Sequence, residues 1–339
     1  MWLSSSSVGR KFIMALTGAF LVLFVTFHCL MNSVAILWPA AYNSVCEFLG
    51  ANWYALVGTA VIAVFVILHI CYAVMLTVQN RAARGNDRYS ISRRPKNVEW
   101  SSQNMFVLGI VILAFLVVHL IQFWAKMQLM EVLGNHGSIP GAAGTLFLQE
   151  AFSQIWTPIV YIIGFIALWF HMNHGFWSMF QSVGWDSTVW IPRLKKIACW
   201  WSSIVVLLFI AQAVTFTVRA SEDYYKTDEC LREQYKDMLV PMIEKEFGAE
   251  GAQLAMSIEM GSYEQVSQGM RQMNQGLEMQ LQQLQTPEGQ AMIKAQPNGQ
   301  ELVENMKKQQ KALQNAVGLF DYLEEGQNTD NTPAQIPNM

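Results

Sequence analysis

Four of the six histidines in this 339-residue chain, His28, His69, His119 and His171, each stand inside a separate long apolar segment. An ionisable side chain in hydrocarbon is costly without a partner and marks a function by default. Imidazole is also the commonest protein ligand for metals. Four of them at depths that pair off across a membrane are what a chain needs to hold two haems, each iron ligated by one histidine on either face.

The elements that must position these ligands are read from hydropathy. The sequence is 53% hydrophobic and only 14% charged, with the apolar runs gathered in its first two thirds. About 20 apolar residues cross a bilayer as a helix. Spans are expected near 11–38, 53–79, 104–126, 155–183 and 196–219, none of which contains Asp or Glu. The serine-rich start followed by Arg10 and Lys11 has some features of a signal peptide. Its apolar run is too long and lacks a small-residue cleavage site, so it is read as the first anchor.

Charge divides the chain. Residues 1–220 carry 13 Lys+Arg against 6 Asp+Glu, whereas 221–339 carry 9 against 19. That asymmetry predicts a membrane domain over 1–220, a helical extramembrane extension over 221–325 and a disordered tail over 326–339. The basic residues that set orientation are Arg10, Lys11, six between Arg81 and Lys96, and Arg193, Lys195 and Lys196. By the positive-inside rule the N-terminus is cytoplasmic, and five spans put the acidic extension outside.

Topology converts position into depth. His28 and His119 follow the cytoplasmic starts of two outward-running helices by roughly 17 residues, or about 25 Å, and fall near the outer face. His69 and His171 lie on inward-running helices and come out nearer the cytoplasm, on the order of 10 Å below the first pair. Small residues recur at helical spacing before the ligands: Gly58 eleven before His69, Gly164 seven before His171, Thr17 eleven before His28, and Gly109 ten before His119. Each is expected beneath its own histidine, where a flat ring could approach. Packing between helices is the ordinary alternative.

The motifs that hold the four histidines are Ala15-Leu16-Thr17-Gly18, Val25-Thr26-Phe27-His28-Cys29-Leu30-Met31-Asn32, Leu68-His69-Ile70-Cys71-Tyr72, Val118-His119-Leu120 and Phe170-His171-Met172-Asn173-His174-Gly175-Phe176-Trp177-Ser178. Over residues 8–220 this ordered set resembles the dihaem cytochrome b anchor subunit of succinate:quinone oxidoreductases, in the form with a single five-helix anchor. The resemblance implies an all-α membrane protein of five transmembrane helices, with haems inside a four-helix bundle, plus the helical water-exposed extension. It implies two haem b groups, His28 and His119 on the distal one and His69 and His171 on the proximal one. Its implied partners are a flavoprotein subunit and an iron–sulfur subunit on the cytoplasmic side of a bacterial inner membrane. Electrons would pass to or from a membrane quinone, menaquinone, and the anchor itself would bind no dicarboxylate. An acidic quinol-site residue between the first two helices is also implied, and Glu47 is the acid in that connection; Glu131 and Glu150 are the other carboxylates expected near that surface.

Two features depart from the family. The glutamate that some dihaem fumarate reductases carry two residues before the fourth-helix histidine is Trp169 here, and the chain past about 225 has no counterpart. His174, one turn beyond His171, competes for the proximal iron, but His171 shares its face with Gly164. His136 reads as a solvated loop histidine. Cys29, Cys71 and Cys199 read as small apolar residues, while Cys46 and Cys230, both expected outside, have the choice of pairing. The basic 81–96 connection would face the iron–sulfur subunit, although topology alone accounts for its charge.

The extension is rich in Gln, Met, Glu and Leu, which favours helices, with interruptions expected near Gly248, Pro287 and Pro297. Thr286-Pro287-Glu288 reads as an N-cap with proline in the first helical position. Met270, Met273 and Met279 read as packing residues more readily than as metal ligands. No nucleic-acid partner is expected. A transporter or channel would place carboxylates near the membrane centre, and a non-haem metal oxidase would converge its ligands on one level. The remaining rival is a dihaem anchor of another quinone-linked dehydrogenase, for formate or hydrogen.

Overall fold

The computed structural model describes residues 6–50, 52–84, 99–134 and 137–325, and among these every regular element is helical. Five helices are long and apolar enough to cross a membrane: Ser7–Leu37, Trp53–Ala83, Trp100–Val132, Trp156–Ser182 and Trp190–Ser221. The chain is therefore a helical membrane protein. Each span falls where hydropathy places it, and most run several residues further. A 31-residue helix such as the first is about 46 Å long, so its ends stand clear of a hydrocarbon core of roughly 30 Å.

Helix α1, Ser7–Leu37, starts where the Ser6 hydroxyl accepts the Gly9 amide at 2.9 Å. It stops because Pro39 holds Trp38 extended, with φ −150° and ψ 86°. The proline then opens α2, Pro39–Phe48, a short helix in what hydropathy leaves as a connection. Helix α3 is Trp53–Arg84, and α4 is Trp100–His119, continued by a π-helix over Leu120–Leu129. After α5, Gly144–Phe152, the last two spans are α6, Trp156–Ser182, and α7, Trp190–Ser221.

The described residues within 1–125 and 150–221 form one compact unit, and those within 126–149 and 222–325 form a second. Within the first, α1 packs on α3, α6 and α7, while α6 packs on α4 and α7 as well. Helix α3 touches α4 only marginally. The order around the bundle is thus α3, α1, α6, α4, with α7 laid against α1 and α6. Val57, Val61, Val64, Ile67 and Leu68 leave an apolar face of α3 exposed, as lipid contact requires. Arg219 of α7 closes the C-terminus of α1 by donating to the Ala35 and Ile36 carbonyls at 2.7 and 2.9 Å, which satisfies acceptors a helix end leaves open.

The second unit is stitched by local capping. Asp228 caps α8, Glu229–Asp237, and a reciprocal box between Ser262 and Gln265 starts α10, Tyr263–Leu284. Between them lies α9, Val240–Met260, kinked at Gly248 where φ is +56°. Thr286 caps α11, Pro287–Ala295, with proline in the first turn as its sequence implies, and Pro297 separates it from α12, Gly299–Glu324. Tyr235, Ile243, Ile258, Met270, Leu319 and Phe320 lie in the core of this unit. Met273 and Met279 are 38% and 60% exposed and do not converge with Met270 at 2%. The tail over 326–339, most of the basic 81–96 connection and His136 lie outside the described residues.

Candidate functional site

The four intramembrane histidines meet in two pairs. His28 of α1 faces His119 of α4 with ring centroids 5.8 Å apart, and His69 of α3 faces His171 of α6 at 6.2 Å. Each pair spans a diagonal of the bundle. Two imidazoles bound to one metal ion from opposite sides, with metal–nitrogen bonds of about 2 Å, have ring centres roughly 6 Å apart. Both pairs have that spacing.

Their levels follow from neighbours on a shared helix. Thr17 lies 3.1 Å from His69, and His28 comes eleven residues later on the same helix. Eleven residues of α-helix rise about 16 Å and return to nearly the same face. On the opposite side, Gly109 lies against His171, with 3.8 Å between an added Cβ and the ring, and His119 follows ten residues on. The pairs therefore stand about 15–16 Å apart along the bundle, further than the 10 Å expected from helix starts alone.

The hydrogen bonds also decide which ring nitrogen is left for a ligand. The Thr17 hydroxyl has one proton, directed at the Ile13 and Met14 carbonyls at 3.0 and 3.1 Å. Its oxygen consequently accepts from His69 Nδ1–H, which leaves the lone pair on Nε2. The Tyr161 hydroxyl donates to Gln122 Oε1 at 3.0 Å and accepts from His119 Nδ1 at 3.1 Å, so His119 is held in the same tautomer. His171 makes no side-chain hydrogen bond through Nδ1, and its ring is met by the backbone of Met105 on α4. His28 is held differently: Asn32 donates to its carbonyl at 2.8 Å and reaches its Nε2 at 3.3 Å, while Tyr42 of α2 donates to Asn32 Oδ1 at 3.1 Å. Iron on His28 Nε2 would take the place of the long Asn32 contact and leave its stronger bond intact. Cross-bundle spacing and two fixed tautomers fit two bis-histidine groups.

Small residues serve these rings across helices more than along them. Gly18 of α1 lies against His69, 3.6 Å from an added Cβ to Cε1, and Gly109 of α4 lies against His171. A Cβ on Gly164 would fall 2.5 Å from Phe115 Cγ, so that glycine admits the Phe115 ring beside His119. Gly58 has nothing within 4 Å of an added Cβ. Among protein contacts, the small residues beside His69 and His171 thus come from the neighbouring helix, Gly18 of α1 and Gly109 of α4.

His174 is occupied elsewhere. Its Nδ1 lies 3.3 Å from Glu99 Oε2, Lys195 Nζ bonds Glu99 Oε1 at 2.7 Å, and the same ammonium sits 4.3 Å from the Trp177 ring. Burial alone would raise the Glu99 carboxyl, but the bonds from Lys195 and His174 outweigh it and hold it below its ordinary value. Trp169 donates to Ser203 of α7 at 3.0 Å. Glu47 is exposed on α2, and Glu131 and Glu150 are half-buried. No disulfide forms among the described residues.

Sequence reasoning gave no role to Tyr161, Gln122, Thr157, Asn32 and Tyr42. A signal existed for some: Asn32 and Gln122 are polar residues one turn beyond a ligand, inside otherwise apolar spans. Comparison of the chain with protein-family models, with curated proteins and with solved structures gives no match.

Proposed function

We propose that this chain is a dihaem membrane cytochrome b, the anchor of a succinate dehydrogenase or fumarate reductase, which carries electrons between an iron–sulfur subunit and a membrane quinone. The observation that carries the reading is the pairing of His28 with His119 and of His69 with His171 across opposite diagonals at two levels. Haem held by imidazoles on both faces supplies a one-electron carrier with no open position for oxygen. The protein's own part is to fix the ligands: Thr17 and Tyr161 orient His69 and His119, Asn32 and Tyr42 hold His28, and Glu99 with Lys195 keeps His174 out of competition.

In this reading the quinone docks near His28, with Glu47 as the proton acceptor. Quinol oxidation releases two protons with its two electrons, and a carboxylate at a helix end is a suitable acceptor where the core has none. Glu47 sits on α2, the short helix that also reaches the His28 neighbourhood through Tyr42 and Asn32.

Pyridine haemochrome analysis of the purified chain is the test, with two b haems per chain expected; one or none overturns the reading. His171→Ala is expected to lose one haem, and His174→Gln to keep both. Co-purification with a flavoprotein carrying covalent flavin supports the succinate or fumarate assignment over a formate or hydrogen dehydrogenase anchor. Glu47→Gln should keep both haems and dye-linked dicarboxylate activity while losing quinone-linked turnover; unchanged quinone kinetics reject Glu47.

A further inference from the structure

We infer that Tyr161 is a positioning residue that sets the redox potential of the group held by His28 and His119, through a directed chain from His119 by way of Tyr161 and Gln122 to Thr157. The inference rests on the dihaem reading above. Its basis is the accounting of one proton. Gln122 Nε2 donates to the Thr157 hydroxyl at 3.1 Å, which turns Gln122 Oε1 toward Tyr161. The tyrosine proton is used on that oxygen at 3.0 Å, so only lone pairs face His119 Nδ1 at 3.1 Å. Thr157 is fully buried and Tyr161 is 5% exposed, while Gln122 is half-buried, so the bond between Tyr161 and His119 is the one best shielded from bulk water.

The phenol is also confined. Phe115, Phe152 and Phe165 meet its ring edge-on with centroids at 5.0, 5.2 and 5.9 Å, and Gly164 lets Phe115 into this packing. With the ring held, its oxygen stays fixed relative to His119. An acceptor on the outer nitrogen of a metal-bound imidazole increases the basicity of the ligating nitrogen. A more basic ligand favours the oxidised metal, so the chain lowers the potential of this group. It reaches only one of the two groups, because His69 is served by Thr17 and His171 by no side chain, only by the Met105 backbone.

The experiment is potentiometric titration of both haems in the purified chain, followed optically and by low-temperature electron paramagnetic resonance. Tyr161→Phe keeps the ring and removes the oxygen. The expected result is two haems retained, one midpoint moved upward with altered low-spin g-values, and the other unchanged. Gln122→Leu should move the same midpoint in the same direction by less, since it frees the tyrosine proton without removing the oxygen. Two retained haems with both midpoints unmoved overturn the inference and leave the dihaem reading standing. Loss of one haem from Tyr161→Phe together with an unmoved midpoint in Gln122→Leu also overturns it, since Tyr161 would then act on folding alone. Absence of haem from the parent chain overturns both.

Discussion

Gly164→Ala separates two accounts of the small residues in these helices. By spacing, Gly58 and Gly164 are equivalent, each beneath a histidine on its own helix. In the structure they are not: an added Cβ at Gly164 would lie 2.5, 2.8 and 2.9 Å from Cγ, Cδ2 and Cβ of Phe115, and one at Gly58 meets nothing within 4 Å. Phe115 has little room to yield, with Tyr161 and Phe165 edge-on at 5.0 and 5.6 Å and His119 stacked at 5.9 Å. Overpacking of this kind costs about 1–3 kcal/mol, whereas alanine in place of a helical glycine recovers roughly 0.8–1 kcal/mol. The clash exceeds the propensity gain over most of that range. Gly164→Ala is therefore expected to lose about 1 kcal/mol net, and Gly58→Ala, in chain prepared without haem, to gain a few tenths or more. Thermal unfolding in detergent should read these as a fall of roughly 2–4 °C and a small rise. Adding Phe115→Leu to Gly164→Ala should give a coupling on the order of 1 kcal/mol, because the smaller side chain removes the clash. Equal midpoints for the two alanine variants, or zero coupling, would refute the argument.

Three further outcomes follow from other contacts. Since Lys195 and His174 hold Glu99 below its ordinary value against the opposing effect of burial, its contribution is present above the normal carboxylate range and is lost as pH falls through the lowered folded-state value. Glu99→Gln should then destabilise the chain at pH 7 and cease to differ from the parent in strong acid; an equal deficit at both pH values rejects this account. Arg219→Ala removes two charge-assisted bonds from the end of α1 and should cost about 1.5–3 kcal/mol in detergent unfolding, with Arg219→Lys recovering part of it. Protease added to intact spheroplasts should trim residues 221–339 if the positive-inside rule places them outside; cleavage only in inverted vesicles reverses the orientation.

What the sequence reveals and what it conceals divide along a physical line. Span number and position depend on solvation of whole segments, which composition states directly, so five apolar runs become five helices. The caps at Thr286 and the kink at Gly248 depend on local backbone preferences and were equally legible. Which residue serves which histidine depends on the order of helices around the bundle, and no local property encodes that. Thr17 shows the limit. Its spacing of eleven from His28 places both on one face of α1, and the structure keeps them there. The residue that Thr17 touches is nevertheless His69, because α3 packs beside α1 at that lower level. The same logic moves Gly109 from His119 to His171 and Gly164 to Phe115.

Beyond His119 the concealment is of another kind. The helix there widens into a π-helix over Leu120–Leu129, which takes later side chains off the 3.6-residue schedule that any pattern of faces assumes. Gln122 lies in that stretch, and it is Gln122 that turns the Tyr161 proton away from His119. Gln122 is readable as a polar residue one turn beyond His119, but its partner Tyr161 is not, because it comes from α6. Widened turns recur at functional sites, and here the irregular backbone and the polar chain that orients a ligand occupy the same few residues.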